Sequence, residues 1–570
     1  MTDTNNSGNK PLPTFKRNAE PFKQPDSLGR VITPKFDKNG FALYDSITSP
    51  SDDTYAIAYV VPDRVIPVIF VPGVMGSNLA KKNKKTSDSQ APIWLLNSLE
   101  GMAQDWILTK ANKRKELLRP EVTEVYRGGS ISEGTMQTKE ELLRRGWGEV
   151  GYTSYGDALL WLENTLNESH SPLQGQRANL IGQALEGAIK MEAVTRDEVA
   201  LSYKYRLPVH AVGYNWLDSN AQSAERLKTK INEYIAFYAK NFKCEQVIVV
   251  THSMGGLVAR YCSENLGMSN KILGIVHGVM PAIGAAAVYR RMKAGTENPK
   301  AGSFSLGNLA GGAASHVLGG DAAEMTAVLS SAPGPLQLLP SKEYGMGWLQ
   351  FHDGKKEVPQ FRLPKADPYS EIYTVRGKWW GLCDDRLIDP RDTKKERIEK
   401  DWATFADVIK SDVKKFHEEL SNKYHPNTYA FIGVDDAHRA YGKVQWTLTH
   451  SNHLDNQGGL PDNLLNASFN RLAGIGIESP LREPKRGAAG FDYRPQMFME
   501  ISRADEAGDG TVPHKSGAAV KDHAKGYFEL KRIDHEGAYK SPNAHARAAT
   551  LLGILKIVQR IKAIPGMVYK

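Results

Sequence analysis

Cysteine is scarce in this chain, with only Cys244, Cys262 and Cys383 among 570 residues. An odd number, wide spacing and no CxxC pair exclude a disulfide framework and a cysteine zinc site, and they point to synthesis in a reducing compartment. The first thirty residues, MTDTNNSGNKPLPTFKRNAEPFKQPDSLGR, are polar and lack the apolar run of a secretory signal peptide. Long hydrophobic runs are missing as well. The most apolar stretch, ILGIVHGVMPAIGAAAV (272–288), is interrupted by His277 and Pro281, so no transmembrane helix is expected. No repeat of fixed period is present. The basic cluster KKNKK (81–85) has no zinc-finger, ribonucleoprotein or helix-turn-helix signature beside it, and nucleic acid is not an expected partner. The net charge of +9 comes from 73 basic and 64 acidic residues that are interleaved. Such a surface favours solubility and is compatible with anionic phospholipid headgroups.

What the chain does have, from residue 60 onward, is strand-like runs alternating with helical ones. VIPVIFVPG (65–73), RLPVHAVGYNW (206–216), VIVV (247–250) and KILGIVHGVMP (271–281) are apolar and β-branched and end in turn residues. NTYAFIGVDD (427–436) and YFELKRIDHEG (527–537) continue the series. Between them, SNAQSAERLKTKINEYIAFYAKNF (219–242) places Ala224, Leu227, Ile231, Tyr234, Ile235 and Tyr238 on one helical face. A last helix is expected over 544–564. This alternation predicts an α/β fold with a mostly parallel central sheet covered on both faces. The expected organisation is a lead-in over 1–59, a core from 60–81, 201–289 and 426–570, a first insertion over 82–200 and a second over 290–425. The second contains SFSLGNLAGGAASHVLGGDAAEMTAVLSSA (303–332), whose composition suits either an apolar lid or a packed helix pair.

The stretch VIVVTHSMGG (247–256) reads as strand, corner and helix, with Ser253 at the corner. A nucleophile elbow is written G-x-S-x-G because a sharp strand-to-helix turn needs small flanking residues. Gly255 satisfies one of those positions and Thr251 occupies the other. A serine nucleophile needs a base, a group to orient the base, and donors for the oxyanion. In the chain order of such hydrolases, the acid and then the histidine follow the serine. Asp509 in GDGTVP (508–513) is a candidate acid, with Asp435 and Asp436 as rivals at the end of their strand. His535 in IDHEGAYK is the candidate base, and His545 competes from inside the last helix. The Met254 amide and the turn VPGVMGSN (71–78), with Gly73 and Gly76, are placed to supply the oxyanion donors. THSNHLD (449–455) holds His450, His453 and Asp455 close together, but loop histidines of this kind are ordinarily polar surface, and no metal site is assigned.

FVPGVMGSNL (70–79), THSMGG, SAPGPLQLLPS (331–341), GDGTVP and DHEG together resemble the motifs of α/β-hydrolases related to lecithin:cholesterol acyltransferase, phospholipid:diacylglycerol acyltransferase and the GPI inositol-deacylase. The resemblance spans roughly 60–565. It implies an α/β-hydrolase fold, Asp509 as the acid, and Val74, just after the Pro-Gly, as the other oxyanion donor. It implies acyl-ester chemistry on lipids, which requires neither metal nor organic cofactor. The chain as a whole looks like the fourth family of antibacterial phospholipase effectors of the type VI secretion system. That likeness implies cytoplasmic synthesis, delivery into a rival's periplasm with a spike protein of the secretion apparatus, attack on membrane phospholipid, and a cognate immunity protein. Acyl transfer by the same residues, or an inactive hydrolase fold used for binding, are the alternatives.

Overall fold

Six runs build the central sheet: five are buried throughout, the sixth lies at an edge and keeps Lys525 exposed, and each ends in a loop that lets the chain return over the sheet. In the computed structural model they are β1 (Val68–Val71), β2 (Val209–Ala211), β3 (Val247–His252), β4 (Ile272–Gly278), β5 (Thr428–Gly433) and β6 (Ala524–Leu530). The structure describes residues 30–45, 56–58, 61–82, 91–98, 106, 109–168, 175–295, 319, 321–355, 357–451, 497–541 and 543–569, with five short pieces between 464 and 493. The strand order is β6-β5-β4-β3-β1-β2, and every neighbouring pair is parallel. All six runs nominated from sequence are therefore strands of one sheet.

Helices cover the two faces. On one face lie α1 (Tyr152–Leu166) and α4 (Ala544–Val558), where Leu159 and Leu162 of α1 and Ile554 and Leu555 of α4 pack with Phe70, Ile248 and Val250. On the other lie α2 (Asn220–Ala239) and α3 (Gly255–Glu264), where Leu227 and Ile231 of α2 and Val258 of α3 join Ile69, Val249 and Ile275. Ser219 starts α2 by accepting from the Ala221 amide at 3.2 Å. Each such fully buried aliphatic side chain contributes about 1.5–3 kcal/mol through its removal from water. Cys244, Cys262 and Cys383 are all buried free thiols.

The insertions carry structure of their own. Leu79–Lys81, Pro92–Trp94 and Thr123–Val125 form a small three-stranded sheet that leads toward α1. A second six-stranded sheet runs 361–363, 349–352, 444–451, 497–501, 476–478, 471–473. It takes strands from either side of residue 426 and is mostly antiparallel. Of the Gly/Ala-rich stretch 303–332, residues up to 318 and residue 320 lie outside the described residues; its remainder includes the mostly buried helix Ala322–Leu329. Most of THSNHLD, including His453 and Asp455, also lies outside them, as do the first 29 residues. Among the described residues no helix is long and apolar enough to cross a membrane, and no cluster of metal-ligating side chains occurs.

Candidate active site

Parallel sheets bring loop residues together at the carboxyl ends of their strands, and this edge is where the candidate residues meet. Ser253 follows β3 directly and sits in the left-handed region with φ of 52°. Its amide donates to the Gly278 carbonyl at the end of β4 (2.9 Å), which holds the corner. Gly255, the first residue of α3, packs so closely on β1 that an added Cβ would lie 2.5 Å from the Val71 and Pro72 carbonyl oxygens. The small residue after the serine is thus dictated by contact with the neighbouring strand. Thr251, where the motif has glycine, meets no such wall. It lies in register opposite His277 of β4, and its hydroxyl is hydrogen-bonded to His277 Nδ1 at 2.9 Å.

Ser253 Oγ lies 2.8 Å from His535 Nε2. His535 Nδ1 lies 2.8 Å from Asp509 Oδ2. With the ring proton on Nδ1, that nitrogen donates to the carboxylate and Nε2 is free to accept from the serine hydroxyl. Asp509 is buried, and its other oxygen accepts from the amides of Thr511 (3.0 Å) and Val512 (2.7 Å), so the GDGTVP turn supplies the hydrogen bonds a buried carboxylate needs. The His535 amide in turn donates to the Asp509 carbonyl at 2.8 Å. The His535 side chain keeps 15% exposure, so the ring is not sealed from solvent.

The rival residues lie elsewhere. Asp435 accepts from the Ala437 (2.9 Å) and Arg532 (2.7 Å) amides, which hold its carboxyl below the usual range, the Ala437 amide contributing most. Asp436 is exposed and paired with Arg439. His545 sits on α4 and faces Glu186 at 3.9 Å. The structure brings together Ser253, His535 and Asp509, and none of these three rivals.

The turn after β1 also comes close to the serine, where a Cβ at Gly73 would lie 3.1 Å from Ser253 Cβ. The Val74 and Met254 amides donate to no atom among the described residues, although the loops around them are otherwise well bonded. Trp94 Nε1 donates to the Met75 carbonyl (2.9 Å), Tyr214 Oη to the Pro72 carbonyl (2.9 Å), and the Gly73 amide to Tyr155 Oη (3.1 Å). Of the five non-glycine residues with positive φ among the described residues, four (Met75, Ser253, Val279 and Arg532) lie just past β1, β3, β4 and β6. Each such conformation costs on the order of 1–3 kcal/mol, and clusters of them mark functional sites.

Two residues absent from the sequence-based set border the site. His252 Nδ1 lies 2.8 Å from Tyr155 Oη, and its Nε2 lies 2.8 Å from the His535 carbonyl. His252 had a signal, a polar residue inside an apolar strand next to the serine. Tyr155 had none, because it comes from the first insertion.

A family model described as lecithin:cholesterol acyltransferase matches residues 187–303, the span that contains β2, β3, Ser253 and β4. A comparison with curated proteins found no match. Among solved structures, the chain is similar to the crystal structure of the Tle4–Tli4 complex, at 29% identity and a TM-score of 0.69 over 87% of this chain and 98% of that chain. The chain therefore has the α/β-hydrolase fold, is related to lecithin:cholesterol acyltransferase through the segment that carries Ser253, and is similar over most of its length to Tle4.

Proposed function

We propose that this protein is a serine lipase that hydrolyses acyl esters of membrane phospholipids. The observation that carries this reading is the unbroken hydrogen-bonded chain Ser253 Oγ, His535, Asp509, with 2.8 Å at each link. His535 Nε2 takes the Ser253 proton as Oγ attacks the ester carbonyl. Asp509 holds the imidazole in the required tautomer and stabilises the imidazolium. The unpartnered Val74 and Met254 amides receive the oxyanion, a stabilisation whose loss typically costs 10²–10³-fold in kcat. His535 then returns the proton to the leaving alcohol, and water, activated by the same histidine, releases the fatty acid.

The likeness to Tle4, solved together with Tli4, supports a further part of this reading. The protein acts as an antibacterial effector carried by a secretion apparatus through a spike protein, and a cognate immunity protein blocks it in the producing cell. The lecithin:cholesterol acyltransferase match favours a second reading, in which an acceptor alcohol replaces water at the acyl-enzyme.

The test is incubation of the protein and its Ser253→Ala variant with phosphatidylethanolamine and phosphatidylglycerol vesicles, with and without a long-chain alcohol, followed by mass spectrometry. Free fatty acid and lysolipid from the native protein, with a loss of at least about 10⁴-fold in Ser253→Ala, is the expected result. Fatty esters of the alcohol would favour transfer, and released headgroup would contradict acyl-ester cleavage.

A further inference from the structure

Gly73 and His535 both lie beside Ser253, and one line of hydrogen bonds joins their backbones. The Gly73 N–H donates to Tyr155 Oη at 3.1 Å. With that lone pair engaged, the Tyr155 hydroxyl proton is directed to His252 Nδ1, 2.8 Å away. His252 then carries its proton on Nε2 and donates it to the His535 carbonyl at 2.8 Å. Only the neutral imidazole can accept at one nitrogen and donate at the other. Burial, reinforced by the nearby His535 ring, pushes His252 down to about 3, so it stays neutral at working pH. Burial likewise pushes the Tyr155 hydroxyl up, which keeps it a proton donor.

The packing around this line is tight. A Cβ at Gly73 would sit 2.8 Å from His252 Nδ1 and 3.1 Å from Ser253 Cβ. Tyr155 is also stacked edge-on with His252, with ring centroids 5.6 Å apart. The His535 peptide is therefore gripped from both ends, its amide by the Asp509 carbonyl and its carbonyl by His252. At the other end Tyr155 holds the Gly73 N–H while the Gly73 carbonyl accepts from the Gly76 amide at 3.1 Å, so the peptide that carries the Val74 N–H is restrained from both sides of Gly73. Neither Tyr155 nor His252 contacts a reacting atom in this chain of bonds, so neither is a catalytic residue in the strict sense.

We propose that Tyr155 and His252 are positioning residues for the hydrolysis, which hold the oxyanion turn and the base-bearing loop in register with each other behind Ser253. This rests on the reading of Ser253, His535 and Asp509 given above. It also assigns a role to the first insertion, whose helix α1 delivers Tyr155.

The two ends of the relay can be cut separately. His252→Gln keeps a donor at the Nε2 position for the His535 carbonyl. His252→Asn keeps only an acceptor at the Nδ1 position for Tyr155. Tyr155→Phe removes the middle link. These variants, the Tyr155→Phe/His252→Asn double variant and Ser253→Ala are compared on a soluble p-nitrophenyl butyrate substrate, with active serines counted by fluorophosphonate labelling. Tyr155→Phe and His252→Asn are expected to lower kcat roughly 10- to 100-fold per labelled site, the penalty for leaving buried polar groups unpaired, with KM within about twofold. His252→Gln should lose less than His252→Asn, because it still holds the His535 carbonyl and gives up only the Tyr155 bond. The double variant should fall well short of the product of the single effects, as members of one network do.

Undiminished kcat per site in Tyr155→Phe and His252→Asn, equal losses in His252→Gln and His252→Asn, or fully multiplicative single effects would overturn the proposal. So would a loss of activity that appears only as fewer labelled sites. If Tyr155→Phe does not fold, the two His252 variants decide the matter by themselves. Hydrolysis retained by Ser253→Ala would instead refute the underlying assignment of the nucleophile, an outcome distinct from failure of the relay.

Discussion

Thr251 shows how a departure from a motif is read at the level of one residue. Glycine two positions before the serine is a steric device, and it is needed only where the side chain would strike something. Here the side chain points along the sheet to the next strand and finds the His277 imidazole. The tight contact falls on the other side of the corner, at Gly255, which is the glycine the chain keeps. His277 Nε2 has no hydrogen-bond partner among the described residues, so the threonine hydroxyl is the ring's one such bond there. Thr251→Val keeps the shape and removes that bond, leaving a buried imidazole unsatisfied. The expected outcome is a loss of about 1–3 kcal/mol in urea unfolding, with Ser253 still labelled by a fluorophosphonate. Unchanged stability would show that the Thr251–His277 bond contributes nothing.

At the level of elements, the central sheet was legible because its strands are continuous apolar runs with helical periodicity between them. Ser253 and His535 were legible as candidates because each sits at a strand exit in the chain order that triad chemistry needs, whereas strand position left Asp509 and Asp435 both open and only the family resemblance favoured Asp509. The second sheet was not. Its strands, such as Leu349–His352 and Val444–Ser451, mix polar with apolar residues and pair across some ninety positions with no periodic signal between them. Tyr155 was illegible for a related reason: its partner His252 is 97 residues away in sequence. What delivers it is the anchoring of α1. Glu163 on that helix accepts from the Val209 amide of edge strand β2 (2.8 Å) and from Arg145 Nη1 (3.0 Å), while Arg145 Nε also donates to Glu141 (2.7 Å). Arg145 and both carboxylates are buried. Arg145→Met strands Glu163 without its counter-charge, and a cost of about 3–5 kcal/mol is expected. Adding Glu163→Met should recover part of that loss, because an apolar pair in place of a buried ion pair is often neutral. Urea unfolding of the three proteins checks the ordering, and equal stability of Arg145→Met and the native protein would refute the anchoring role.

For the molecule as a whole, one sheet edge collects the strained turns, the candidate catalytic groups and the relay behind them, and the interior beneath pays for this in buried histidines. His210, His252 and His277 are all buried in or beside the sheet. Burial is the leading cause that pushes each one down, to about 3 for His252 and His277 and well below the ordinary range for His210, with nearby arginines adding to the effect at His210 and His277 and the His535 ring at His252. In the unfolded chain the same side chains titrate near about 6.5. Below that pH the unfolded chain binds protons that the folded chain refuses, so acid favours unfolding. The stability these three neutral side chains support is complete above about pH 6.5 and is lost progressively as pH falls below it, at up to about 1.4 kcal/mol per pH unit for each. Urea-unfolding free energies measured from pH 7 to 4.5 should therefore fall steeply below 6.5. Carboxylates contribute to acid unfolding too, so the diagnostic comparison is with His252→Gln, which removes one of the three. Its slope between pH 6 and 5 should be shallower than that of the native protein by about one histidine's share, and identical slopes would show that His252 accepts its proton in the folded state as readily as in the unfolded one.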